Sequence, residues 1–255
     1  MVTKRSIYLG LFFCFLLFSC KKDDNEIDDT PEGGIINYPV NQSVGYSAKD
    51  LLSDEDFKNV VIEINCFNVF PQDQTLNEIK SFLGDRLHKT SISVVIDTNA
   101  SSGLTSVNTG NLVSFDESSR DYYTTHNSIV VNCNYFDANY TDENVLGVAF
   151  YNTSIALFGE KIKSISNDPL EPPRWQVEST VFLHELGHIL GLVNTGSSMI
   201  NNHQDEAHGK HCDNENCLMY WSVETSDVVN NLLSTNTIPD LDNNCILDLQ
   251  NNGGK

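Results

Sequence analysis

The most constraining feature of this sequence is a pentapeptide, His184-Glu185-Leu186-Gly187-His188, set in an otherwise apolar segment. Residues four apart on a helix project from one face, so two imidazoles there can grip one metal ion from a single rigid element. Glu185, one residue on, is turned by about 100° around the axis, near such a metal without having to ligate it. Phe182, Leu186, Ile189 and Val193 make a separate apolar face, so this helix needs a core to lie against. Pro172-Pro173 opens it, the pattern runs to about Leu192, and Gly191 suits a left-handed stop.

Upstream, the alternation and branching predict what that core contains. Val60–Asn65, Ile92–Ile96, Ser128–Val131, Val145–Phe150 and Ser154–Phe158 read as strands. Leu76, Ile79, Phe82, Leu83 and Leu87 recur at helical spacing over residues 75–87. Residues 99–125 are polar and Ser/Gly-rich and read as a long loop. The predicted order is β-α-β-β-β-β-α, and with 40% hydrophobic residues the chain has enough apolar material for a sizeable core.

The first residues read as an address. Lys4 and Arg5 precede the apolar run Ile7–Phe18, too short to span a bilayer as a helix and suited to a secretory signal. Leu17-Phe18-Ser19-Cys20 resembles a bacterial lipobox, which implies cleavage before Cys20 and lipidation of its thiol. The expected division is a signal peptide at 1–19, a flexible acidic tether at 20–50 and a single catalytic domain at 51–255. The expected location is outside the cytoplasm, anchored to the bacterial outer membrane at its periplasmic face or the cell surface. A net charge of −20 argues against nucleic acid as a partner.

Downstream of the helix comes His211-Cys212-Asp213-Asn214-Glu215-Asn216-Cys217-Leu218-Met219-Tyr220. Together with His184, Glu185, His188 and Gly191, this run resembles the metzincin metallopeptidases, whose pattern is H-E-x-x-H-x-x-G-x-x-H followed by a methionine-containing turn. The H-C-x4-C-x-M spacing is similar to the archaemetzincin branch. The resemblance implies a mixed, twisted α/β sheet of about five strands with a backing helix and an active-site helix, and a small C-terminal subdomain after the Met-turn. It implies one catalytic zinc held by His184, His188 and a third ligand, Glu185 as general base, Met219 beneath the metal, and Tyr220 lining the site or facing an oxyanion. Leu146–Phe150 is similar to the edge strand that holds an extended substrate.

The sequence departs from the pattern at Asn194, which stands where the third histidine belongs. Carboxamide is a poor zinc ligand beside imidazole, so Asn194–Lys210 reads as an insertion with His211 as the third ligand. His203, Asp205 and His208 stay open as alternatives, as does Asn194 itself. The archaemetzincin C-x-x-C is missing and Cys245 stands alone, so a Cys212–Cys217 disulfide is a simpler expectation than a second, structural zinc. Cys66 and Cys133, both on predicted strands, form another possible pair. Asp240–Asn244 lacks the Gly and Glu of a calcium loop and reads as a solvated acidic turn. The expected activity is hydrolysis of extracellular proteins or peptides. Competing readings are a peptidase with Glu206 as a metal ligand and a non-catalytic, ligand-binding surface lipoprotein.

Overall fold

The computed structural model describes residues 34–235 and 237–255. The signal peptide, the lipobox and Cys20 lie outside the described residues. Residues from 34 onward pack within one compact unit. The tether therefore does not reach residue 50: Ser47 and Ala48 are buried, and a short helix α1 (Ala48–Leu52) puts Leu51 and Leu52 into the core.

The elements that follow are β1 (Asn59–Phe67), α2 (Asp73–Arg86), β2 (Ser91–Asn99), β3 (Ser106–Val107), α3 (Thr109–Ser119), β4 (Ser128–Phe136) and β5 (Asn139–Tyr140). Then come β6 (Gly147–Tyr151), β7 (Ser154–Phe158), α4 (Gly159–Ser164), α5 (Arg174–Ile189), a 3₁₀ turn (Trp221–Glu224), α6 (Val228–Thr235) and α7 (Asn243–Asn251). The main sheet has the order β2-β1-β4-β7-β6. Its first four strands run parallel, and β6 closes one edge antiparallel to β7. This is the mixed α/β architecture that the resemblance implies.

Period-two alternation divides the two faces of the sheet. Val60, Ile62, Ile64 and Cys66 of β1 and Ile129, Val131, Cys133 and Tyr135 of β4 enter the large core shared with α2 and α5. The opposite face is buried yet partly polar. Asn65 donates to Asn132 at 2.7 Å, Asn132 to Asp116 at 2.6 Å, and Ser119 to Asn134 at 2.9 Å. Arg120 pairs with Asp116 at 3.1 Å and donates to Ser154 at 2.9 Å.

These partners sit on or beside α3, within the segment expected to be a loop. The helix starts at a reciprocal cap between Asn108 and Asn111. It buries Asp116 and Ser119 beside Leu112, so it carries little apolar periodicity. The segment after the Met-turn forms α6 and α7 in the same unit, and Cys245 and Leu249 share the main core.

Candidate metal centres

Helix α5 is buried on every side from Gln176 to Ile189, as expected of a helix between a sheet and a covering loop. It ends in a Schellman arrangement. Gly191, at φ +87°, donates to the His188 carbonyl at 3.1 Å, and Leu192 donates to that of Gly187 at 3.1 Å. After the reversal Asn194 is exposed, with its carbonyl accepting from Lys210 Nζ at 2.5 Å. The chain returns seventeen residues later, and His211 meets the two helical histidines.

Three imidazoles then converge. His184 and His188 face each other through their Nε2 atoms at 3.1 Å, and their ring centroids lie 5.3 and 5.1 Å from that of His211. Outer atoms fix two of the rings: His184 Nδ1 donates to the Leu218 carbonyl and His211 Nδ1 to the His208 carbonyl, both at 2.7 Å. Those bonds leave Nε2 of each ring with its lone pair toward the cluster. His188 is held well below its ordinary pKa by burial and by the neighbouring His184 and His211, so it is neutral. For His211, burial favours the neutral ring, but Glu224 outweighs it and raises the pKa.

Met219 lies below this group. A Cβ on Gly187 would stand 2.2 Å from its sulfur, so only glycine between the two histidines lets the methionine pack there. Glu185 is fully buried, and neither of its oxygens has a hydrogen-bond partner of good geometry. Burial, with the Glu224 charge behind it, pushes its pKa well up, and the Ala149 N–H opposes that. His211 Nε2 is likewise buried without a hydrogen bond of normal geometry. A buried carboxylate without a well-formed hydrogen bond, and the buried His211 Nε2 in the same state, are costly in protein alone. A divalent cation among them removes that cost, and three imidazoles are a donor set that suits zinc.

The cluster forms the floor of a cleft of about 650 Å³. One wall is the start of β6 with Val145, Gly147, Val148 and Ala149; the others come from Ser43 and Val44, Thr195 and Gly196, and Gly209 and Lys210. Among the described residues, edge strand β6 pairs in the sheet only with β7, and Gly147, Val148 and Ala149 of β6 line the cleft.

Other expected site residues lie elsewhere. The His208 ring is exposed, stacks on Trp221 at 4.2 Å and pairs with Asp205 at 2.7 Å; only its backbone carbonyl supports the cluster. Tyr220 lines a depression beside Trp221 and Asn231 and is not among the residues that line the cleft. Glu206 is exposed, and the carboxylate that does approach the imidazoles is Glu224, which the sequence reading missed. No spacing rule points to Glu224. It arrives because Leu146 N–H donates to its carbonyl at 2.8 Å and Val145 bridges to Thr225.

His203 belongs to a second cluster. It is buried, its Nδ1 lies 3.4 Å from Cys212 Sγ and 4.0 Å from Cys245 Sγ, and its Nε2 meets Asp248 at 2.8 Å. Donor atoms of His203, Cys212, Asp242 and Cys245 all lie within 4.8 Å of one another. Cys217 adds a sulfur 3.6 Å from that of Cys245. The expected Cys212–Cys217 and Cys66–Cys133 disulfides are absent, and all five cysteines among the described residues are free. Hydrogen bonds from the other two thiols, with the N–H groups of Asp242 and Met219, push the Cys217 thiol down to about 4. Three sulfurs and an imidazole backed by a carboxylate suit zinc as well as the first cluster does. Asp242 is no solvated turn residue: it caps α7 by accepting from Cys245 N–H at 2.9 Å and approaches Cys212 Sγ at 3.5 Å.

No family model matches the sequence, and no curated protein does. Among solved structures, archaemetzincin from Methanopyrus kandleri is similar at a TM-score of 0.50 and 13% identity, covering 77% of this chain and 95% of that one. Metalloproteinase-II from Bacteroides fragilis aligns at a TM-score of 0.45 and 13% identity, covering 89% of this chain and 59% of that one. The likeness to the archaemetzincin is one of fold.

Proposed function

We propose that this chain is a zinc-dependent endopeptidase with His184, His188 and His211 as metal ligands and Glu185 as general base. One observation carries the reading: a buried, unpartnered Glu185 stands beside three convergent imidazoles at the floor of a cleft with a strand edge for a wall. Zinc at the imidazoles supplies a Lewis acid and lowers the pKa of water from 15.7 toward about 7. Glu185 takes the proton of the attacking water and passes it to the departing amine nitrogen. The exposed backbone of β6 offers an extended peptide a partner, with Val148 and Ala149 against its side chains. The alternative of a non-catalytic binding protein rested on Asn194, which is exposed, while His211 supplies the third imidazole beside His184 and His188.

The second cluster, His203, Cys212, Cys217 and Cys245, is proposed to hold a second, structural zinc, so that the expected single ion becomes two. The lipobox supports export and lipid anchoring through Cys20, with extracellular proteins or peptides as substrates.

The test is the full chain in detergent, loaded with zinc and incubated with a diverse peptide mixture read by mass spectrometry. Glu185→Ala should keep its zinc and lose about 10²- to 10⁴-fold in rate. Loss of zinc in that variant, or equal cleavage by both proteins, overturns the role of Glu185.

A further inference from the structure

Three of the four donors at the first cluster follow from the histidine pattern; the fourth is a carboxylate outside it. Glu224 ends the 3₁₀ turn five residues after Met219 and is pinned to the start of β6 by the Leu146-to-Glu224 bond and by Ser226 N–H on the Asn144 carbonyl at 3.0 Å. Its side chain is 29% exposed and lines the cleft. One oxygen, Oε2, lies 3.5 Å from His211 Nε2 and 3.8 Å from His184 Nε2, while the His184 and His188 nitrogens are 3.1 Å apart. Ligands about 2.0–2.1 Å from a tetrahedral zinc stand about 3.3–3.4 Å from each other. These three separations bracket that value, and all four donor atoms lie within 4.8 Å of one another, so the carboxylate oxygen stands where a fourth ligand beside three imidazoles could stand.

We propose that Glu224 is a fourth, displaceable protein ligand of the His184–His188–His211 centre, which closes the metal site at rest and is exchanged for an oxygen donor when substrate enters. The inference rests on the reading that those imidazoles hold a metal. A catalytic zinc site keeps one position open, whereas four protein ligands make a closed, structural-type site. Glu224 also brings a negative charge that offsets half of the ion's charge, so the closed state is the weaker Lewis acid. The exchange transfers no electrons: one metal–carboxylate bond breaks and one bond to the incoming oxygen forms. An extended peptide laid along β6 reaches the backbone that anchors Glu224, so substrate binding and carboxylate release share one strand.

The experiment uses the full chain loaded with cobalt(II), whose visible d–d bands report coordination number and donor type. The spectrum of the histidine centre is isolated as the difference between wild type and His188→Ala, which removes absorption from the thiolate cluster. Acetate is then titrated in as a small oxygen donor, and zinc affinity is measured by chelator competition. In the wild type, acetate should leave the difference spectrum unchanged. Glu224→Ala should have shifted bands that acetate moves back, and a zinc affinity at least tenfold weaker; Glu224→Gln, which keeps the shape, should fall between. Spectra and affinities that are unchanged in both variants overturn the proposal while leaving the three-histidine centre intact. Absence of any difference between wild type and His188→Ala overturns the metal-centre reading itself. Circular dichroism of each variant separates loss of a ligand from loss of fold.

Discussion

A side chain's chemistry here depends on which buried neighbours it lacks. Asn194 and His211 show it for the proposed metal centre: Asn194 occupies the position that the motif assigns, while His211 is the residue that meets the two helical imidazoles. His211→Ala should lose metal from the first centre, and Asn194→Ala should keep it; zinc content by mass spectrometry after gel filtration decides, and the reverse result moves the third ligand. Glu63 shows it for stability. It is buried on the polar face of the sheet and accepts from the N–H groups of Asp121 and Tyr122 at 2.7 and 3.3 Å, yet burial pushes its pKa up to about 7. The fold thus favours the protonated form. The stability Glu63 contributes is complete below about pH 4.5 and is lost as pH rises through 7. Melting temperature measured from pH 4.5 to 8 should fall less in Glu63→Gln than in wild type; parallel curves would contradict that role. The two residues that pure spacing could place, His184 and His188, were legible because a helix repeats every 3.6 residues. Glu224 was not, since strand contacts bring it in rather than any local period.

Whole elements repeat this division. Strands β1, β4 and β7 and helices α2 and α5 were legible, because each presents an apolar face to one core and periodicity records that. Helix α3 was not. Its buried side mixes Leu112 with Asp116 and Ser119, whose partners Arg120, Asn132 and Asn134 are polar, so its hydrophobic signature is weak. The segment from Met199 to Tyr220 is a second such case. It has no helix or strand of its own and is tied down by isolated bridges, Gln204 with Cys212 and Cys212 with Tyr220, around the thiol cluster. A loop of that kind has little intrinsic stability without a cross-link. Replacing His203 with Ala should lower zinc from about two ions per chain to about one and speed amide exchange over residues 199–220 first. Unchanged zinc content would rule out a second centre. Leu218 links the two sites, since its carbonyl holds His184 and its N–H donates to the Asp240 carbonyl at 2.9 Å, so loosening that loop should also weaken the first centre.

For the molecule as a whole, residues 34–50 line one side of the cleft through Ser43 and Val44, and they do so as part of the folded unit. The strap is fastened by Asn152 at the β6–β7 turn, which donates to the Pro39 carbonyl at 2.8 Å and to Ser47 Oγ at 2.7 Å and accepts from Gln42 N–H at 2.9 Å. Thirteen residues separate Cys20 from Gly34, where the described residues begin, and the proposed lipid anchoring is testable at Cys20. Cys20→Ser should abolish incorporation of labelled palmitate and release the protein from the membrane fraction; continued labelling would refute the lipobox reading.

The sequence alone determined the main-sheet strands, the helices that face the core with an apolar side, and which helix carries two imidazoles on one face, because those features are periodic and local. Tertiary structure decided what meets that helix: His211 across an insertion, Met219 against Gly187 and Glu224 from beyond the Met-turn, while His203 joins the thiols in a separate cluster. The physical reason is that side-chain period is set within a few residues of backbone. Convergence of donors from distant segments is set by which surfaces pack, and packing here turns on one Schellman turn at Gly191, one strand edge at β6 and a loop without regular structure.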